Sequence, residues 1–216
     1  MYLIGAMALS VTLASCEGCN SGNSSTKIGD GYSAGEEQKS DTLKMMEANI
    51  ESNLKGYMQA LSDARFSDYV TYVHPALFDS KEEIEAQAEN LKRIYDGGWQ
   101  NRVKKAEIYY ISPLVDLDTA WATVVKFNME VDVEFTDEFK GKPAVYENQI
   151  KSSFPYAVVE FDSIGRAYHV VGPDLFFCFS DKDSINFYFV TEQFISNPRI
   201  NKIINAEKIL ELRAYR

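Results

Sequence analysis

Residues 119–135 read TAWATVVKFNMEVDVEF. The odd positions are Thr119, Trp121, Thr123, Val125, Phe127, Met129, Val131, Val133 and Phe135, and the even ones carry Lys126, Asn128, Glu130, Asp132 and Glu134. Alternation at period two is the mark of a strand with one buried and one wet face. Near the start the even positions are also apolar (Ala120, Ala122, Val124), so that end is expected to lie deeper in the protein. The stretch is far longer than the usual strand of about five to six residues. A strand of that length twists and bends, and the concave side of a bent sheet has to be filled. The segments upstream are the natural filler.

Composition narrows the partners. Of 216 residues, 32 are Asp or Glu and 22 are Lys or Arg, a formal net charge of −10. Such a surface repels phosphate backbones, which argues against nucleic acid, and it does not favour anionic lipid through a basic patch. Two His and three Cys leave little material for a His/Cys metal centre. With 45% hydrophobic and 13% aromatic residues the chain has ample material for a core. No metal and no cofactor are expected.

The N-terminus reads as an address. Residues 3–14 are an apolar run too short for a spanning helix of about 20 residues. The run ends in Leu13-Ala14-Ser15-Cys16. An aliphatic residue, two small residues and a Cys resemble a bacterial lipobox, although no Lys or Arg precedes the apolar run. The resemblance implies cleavage before Cys16 and lipid attachment to it. Residues 1–15 would then be a signal peptide and 16–39 a flexible tether rich in Gly, Ser and Asn. Residues 40–216 remain as one domain. Cys178, within Phe176-Phe177-Cys178-Phe179, reads as a buried small hydrophobe.

Helices come first in that domain. Ser40-Asp41 offers an N-cap, and Leu43, Met46, Ile50, Leu54, Tyr57 and Leu61 follow at spacings of three and four. A short helix over 66–73 is expected to stop at His74-Pro75, since the residue before proline avoids the helical region. Ser80-Lys81-Glu82-Glu83 is a capping box, and the helix it opens ends at Gly97-Gly98.

Strands follow. Residues 103–111 alternate moderately, 115–118 link to the long strand, and 136–144 form a polar loop. A strand is expected over 146–162, with Ile150, Phe154, Tyr156 and Val158 alternating and Pro155 marking a bulge or edge. After the turn at 162–165, two further strands over 167–171 and 175–179 are separated by Gly172-Pro173-Asp174. Ile185, Phe187 and Phe189 alternate once more, and the tail from Asn197-Pro198 reads as short helices. Helices followed by a mostly antiparallel sheet mean α+β.

Taken together, a long first helix, a short one ending in His74-Pro75, a third ending in Gly97-Gly98 and then long strands resemble the NTF2-like fold. The tail Asn197-Pro198-Arg199-Ile200-Asn201-Lys202-Ile203-Ile204 is similar to tails of lipid-anchored members from gut-type bacteria. The resemblance implies N-terminal helices packed in a strongly curved sheet, a cone. It implies little about activity, because that fold serves both enzymes and non-catalytic binders.

The candidate chemistry is sparse. His74 could work as an acid or base at the cone mouth, or it could cap the C-terminus of the preceding helix or bond a backbone carbonyl. His169 could face the cavity or the solvent. Asp132 and Glu134 share a face and could in principle hold a hard cation, but read as the wet face of the long strand. The aromatics Trp121, Phe127, Phe154, Tyr156, Phe187 and Phe189 read mostly as core. Those nearest the mouth, with Tyr69, Tyr72, His74 and Tyr110, are the candidate lining of an apolar pocket. No nucleophile elbow, phosphate loop or dinucleotide fingerprint is present.

The sequence therefore leads to a membrane-anchored envelope lipoprotein. Its domain is expected to bind a small apolar ligand or a protein partner without catalysis. The alternatives are an acid–base enzyme of isomerase or dehydratase type, and a structural module forming a homodimer through its sheet.

Overall fold

The computed structural model describes residues 41–184 and 186–216. The leader, Cys16, the tether, the Ser40 cap and Ile185 lie outside the described residues. Among the described residues no helix is long and apolar enough to cross a membrane.

Helix α1 (Asp41–Ser62) buries Met46, Ile50, Leu54 and Tyr57, the stripe at three- and four-residue spacing. Ala64, at φ 56°, takes the left-handed turn that ends it. Helix α2 (Phe66–Tyr69) is shorter than the spacing predicts, and residues Val70–Tyr72 tighten into a 3₁₀ turn. Val73 is already extended and bridges in parallel to Phe189. Helix α3 (Lys81–Asp96) starts on Ser80, whose oxygen accepts from the Glu83 N–H, while the Glu83 carboxylate accepts from the Asp79 N–H. Gly97 caps its end, and Gly98, at φ 86°, turns the chain into the sheet.

The sheet has strands β1 (Trp99–Ile111), β2 (Val115–Asp116), β3 (Ala120–Phe135), β4 (Val158–Asp162), β5 (Ala167–Asp181) and β6 (Tyr188–Thr191). The order is β1-β3-β5-β4, with β2 also on β3 and β6 also on β5, and every pairing is antiparallel. The sheet is open. The fold is α+β.

The period-two reading of 119–135 holds along β3 apart from Asp132, which is buried on the expected wet face. Val125, Phe127, Met129, Val131, Val133 and Phe135 are buried against α1, α2 and α3 in one core. Ala122 and Val124, on the opposite face, are buried as well. They belong to a second core with Phe177, Phe179, Val190, Ile195, Ile200, Ile204, Ile209 and Leu212. The C-terminal tail, ending in helix α5 (Ala206–Arg213), thus covers that end of the sheet from the side away from α1. Arg199 ties the tail back: its guanidinium donates to the Leu77 carbonyl, Asp79 and Glu83.

Two sequence expectations are corrected. Residues 147–153 are not strand but helix α4 (Glu147–Ser153), preceded by the 3₁₀ turn Pro143–Tyr146. Tyr146, Ile150 and Phe154 stand four apart and pack on the helix-side core, a helical period that looks like alternation when every second residue is taken. The break expected at Gly172-Pro173-Asp174 does not occur either, because β5 runs through it. The strand β4 leaves β5 at Val171, and β6 joins at Phe176. Pro173 therefore falls where β5 has β3 on one side and no strand on the other, a tolerated place for a residue without an N–H.

Candidate functional site

Most of the residues chosen from sequence as pocket lining are structural. Tyr69 and Phe127 are buried in the helix-side core. The Tyr69 and Tyr57 hydroxyls share a 2.7 Å hydrogen bond, and Tyr57 packs on Phe176 and Phe189 with ring centroids 5.3 and 5.6 Å away. Burial raises both phenols, Tyr69 to about 12. Tyr72 is partly buried over Gly56, where a Cβ would meet its hydroxyl at 2.2 Å. Trp121 is half-buried under Lys182, whose Nζ lies 5.0 Å from its ring. Tyr110 pairs with Lys126 on the face away from α1, with the ammonium 5.1 Å from its ring.

His74 caps. Its Nδ1 accepts from the Ala76 N–H at 3.1 Å, at the start of the 3₁₀ turn Pro75–Leu77, and the His74 backbone N–H donates to the Phe189 carbonyl. The ring sits edge-on between Phe179 and Tyr188, and burial lowers its pKa to about 4. The imidazole therefore caps the start of the 3₁₀ turn that follows it, as an acceptor, where the sequence pointed to the end of the helix before it or to a backbone carbonyl. His169 lies across the strand pair from Asp132 on the opposite face, 2.6 Å from that carboxylate, which also takes Lys104 at 2.7 Å. Burial acts to raise Asp132, but the bonds from Lys104 and His169 outweigh it and hold the carboxyl below its usual value. Asp132 is therefore buried and paired, where the sequence suggested a solvated face.

Tyr156 is the residue from that set that reaches an open site. Between the end of β4 and the start of β6, residues 172–175 of β5 lack a neighbour on their outer side. The loop after α4 and the residues after β6 close over this gap. What remains is a pocket of about 220 Å³ lined by Ser152, Pro155, Tyr156, Asp174, Thr191 and Glu192, with Arg216 at its side. Gly172 permits the closure: a Cβ there would stand 2.7 Å from Ala157 Cα.

Asp174 is the chemically distinctive group. It pairs with Phe127 across the strands and so points to the helix side of the sheet. On that side β5 presents Tyr168, Val170, Gly172, Asp174, Phe176 and Cys178, an otherwise apolar row. Burial raises its pKa to about 7, the Leu175 N–H opposes this, and the Glu192 charge adds to it. Thr191, opposite Phe176, holds a buried hydroxyl with no partner among the described residues. Arg216 pairs with Glu192 at 2.7 Å and donates to the Tyr156 hydroxyl at 2.8 Å, and Tyr156 donates in turn to Glu192.

Sequence reasoning passed over Asp174 because it follows Gly-Pro and looked like a break. The signal was there: an acid at an even position within a row whose other even members are apolar or glycine. A larger, open groove of about 580 Å³ runs between α1 and the free edge of β1, with Leu54, Met58 and Val103 at its floor and charges of both signs at its rim. None of the residues selected from sequence lines it. The chain matches no protein-family profile and no characterised relative.

Proposed function

We propose that this chain is a cell-envelope lipoprotein whose NTF2-like domain binds a small ligand without turning it over. One observation carries the binding reading: the opening beside residues 172–175, where the Asp174 carboxylate, without an ion-pair partner among the described residues, lines a pocket at the end of an otherwise apolar row. Polar groups of this kind at the end of a core are what orient a ligand in a concave site. Both imidazoles are engaged elsewhere, His74 as a cap and His169 with Asp132. The pocket volume lies below the ~300–1,000 Å³ common for drug-sized ligands, which suits a small molecule.

The lipidated address rests on Leu13-Ala14-Ser15-Cys16 followed by the polar tether. Mass spectrometry of the membrane fraction tests it: an acylated N-terminal Cys16 is expected, and a mature chain retaining residues 1–15 refutes it. Native mass spectrometry of envelope-purified protein tests the binding reading, with a co-purifying small molecule lost in Asp174→Asn as the expected result.

A second reading has one observation in its favour. A carboxyl titrating near neutrality, like Asp174, is suited to general-base work, as in the isomerase alternative. Chemical conversion of the co-purified molecule by wild type, abolished in Asp174→Asn, would favour it over simple binding.

A further inference from the structure

We infer that the Asp174 pocket takes a small organic cation, its ammonium group set against the Asp174 carboxylate. The inference rests on the binding reading above and adds the chemical class of the ligand. It follows from which hydrogen-bond protons around the pocket are already spent. Ser152 donates to the Asn148 carbonyl at 2.8 Å, and Ser153 to the Gln149 carbonyl at 2.9 Å, inside α4. The Tyr156 hydroxyl donates to Glu192. A hydroxyl whose proton is committed offers only lone pairs to a guest. These three hydroxyls present only acceptors, and a ligand that satisfies them together with the Asp174 carboxylate has to bring donors.

Charge points the same way. Two carboxylates line the pocket against one cation, Arg216, whose Nε is turned to Glu192 and Tyr156. Asp174 forms no ion pair with Lys or Arg among the described residues, its carboxylate accepting from the Leu175 N–H instead. An unpaired carboxylate on an apolar face is stabilised by a proton or by a cation, and a bound ammonium takes the proton's place. The groups that face Asp174 are Tyr57 of α1, which bonds to Tyr69 of α2, and Glu192 after β6 with its partners Tyr156 and Arg216. None of them supplies a free positive charge. Arg216 itself illustrates the preference: its guanidinium lies against the Glu192 carboxylate and 5.7 Å from the Tyr156 ring centre, a cation held by an acid and an aromatic face.

The test is an NMR titration of the full chain with ethylammonium chloride, propionamide and sodium propionate at matched ionic strength. Ethylammonium is expected to shift Ala157, Gly172, Thr191 and Gln193, and to bind at least about tenfold tighter at pH 8.5 than at pH 5.5, the equivalent of one pKa unit of linkage. Asp174→Asn is expected to remove the pH dependence, and a variant that keeps it overturns the assignment. Glu192→Gln, which removes the pocket's second carboxylate, is expected to weaken binding several-fold at both pH values, which keeps the test decisive if the first variant folds poorly. Shifts from propionamide or propionate alone leave the pocket standing and overturn the cation. No shift there from any of the three probes overturns the binding reading as well.

Discussion

The two faces of the sheet are built differently. The helix-side face is apolar along nearly all of β3 and is covered by α1, α2 and α3. The opposite face is apolar only at one end, where the tail covers Ala122, Val124, Phe177 and Phe179. At its other end it carries Lys104, Asp132 and His169 joined in one polar chain. One pair of strands thus serves two cores, and what separates them is how far along the strand the even positions stay apolar. The contrast teaches that burial is set segment by segment: a strand is double-sided only where something is available to cover it.

The comparison sharpens under substitution. Phe127→Ala on the helix side and Phe177→Ala on the tail side should each cost about 3–5 kcal/mol in urea unfolding, since both rings are fully enclosed. If the two cores form one cooperative unit, both variants melt in a single transition; an early separate transition in Phe177→Ala alone would make the tail side its own unit. Arg199→Ala should cost about 1–3 kcal/mol, the penalty for cutting a charged hydrogen-bond cluster. Amide exchange should rise over residues 200–213 while α1 stays protected.

Asp174 adds a pH signature to the helix side. Its folded pKa, about 7, lies above that of an unfolded Asp, so the native state binds the extra proton. Stability should therefore fall as pH rises from about 4 to about 7, by roughly 1–3 kcal/mol. Asp174→Asn should flatten that window in thermal melts across the range. The smallest effect belongs to the exposed side: His169→Ala should change stability by no more than about 1 kcal/mol, because the ring is half-exposed and Lys104 still pairs with Asp132.

The legible part of the fold was the part with long, clean periods. Residues 125–135 alternate cleanly, α1 and α3 show their stripes, and α3 shows its caps at Ser80 and Gly97. The failures came where a short segment admits two periods, as at Tyr146, Ile150 and Phe154, or where a local breaker is overruled by pairing, as at Pro173. The candidate site was mostly illegible. Aromatics were chosen as lining, but Tyr69 and Phe127 fill the interior, because residue type alone does not separate a filled core from a lined pocket. The pocket arises from a missing neighbour along β5, a property of strand lengths and loop paths that no single residue announces.

The double-sided end of the sheet has a consequence during synthesis. Val124, Phe177 and Phe179 are made long before Ile209 and Leu212, which complete their cover. Until residue 212 is in place, the folding polypeptide carries an unshielded apolar ledge, and such surfaces invite aggregation or chaperone capture. Helix α5 therefore acts as a closing clasp, and a chain cut before Ala206 should aggregate more readily than the full chain on refolding.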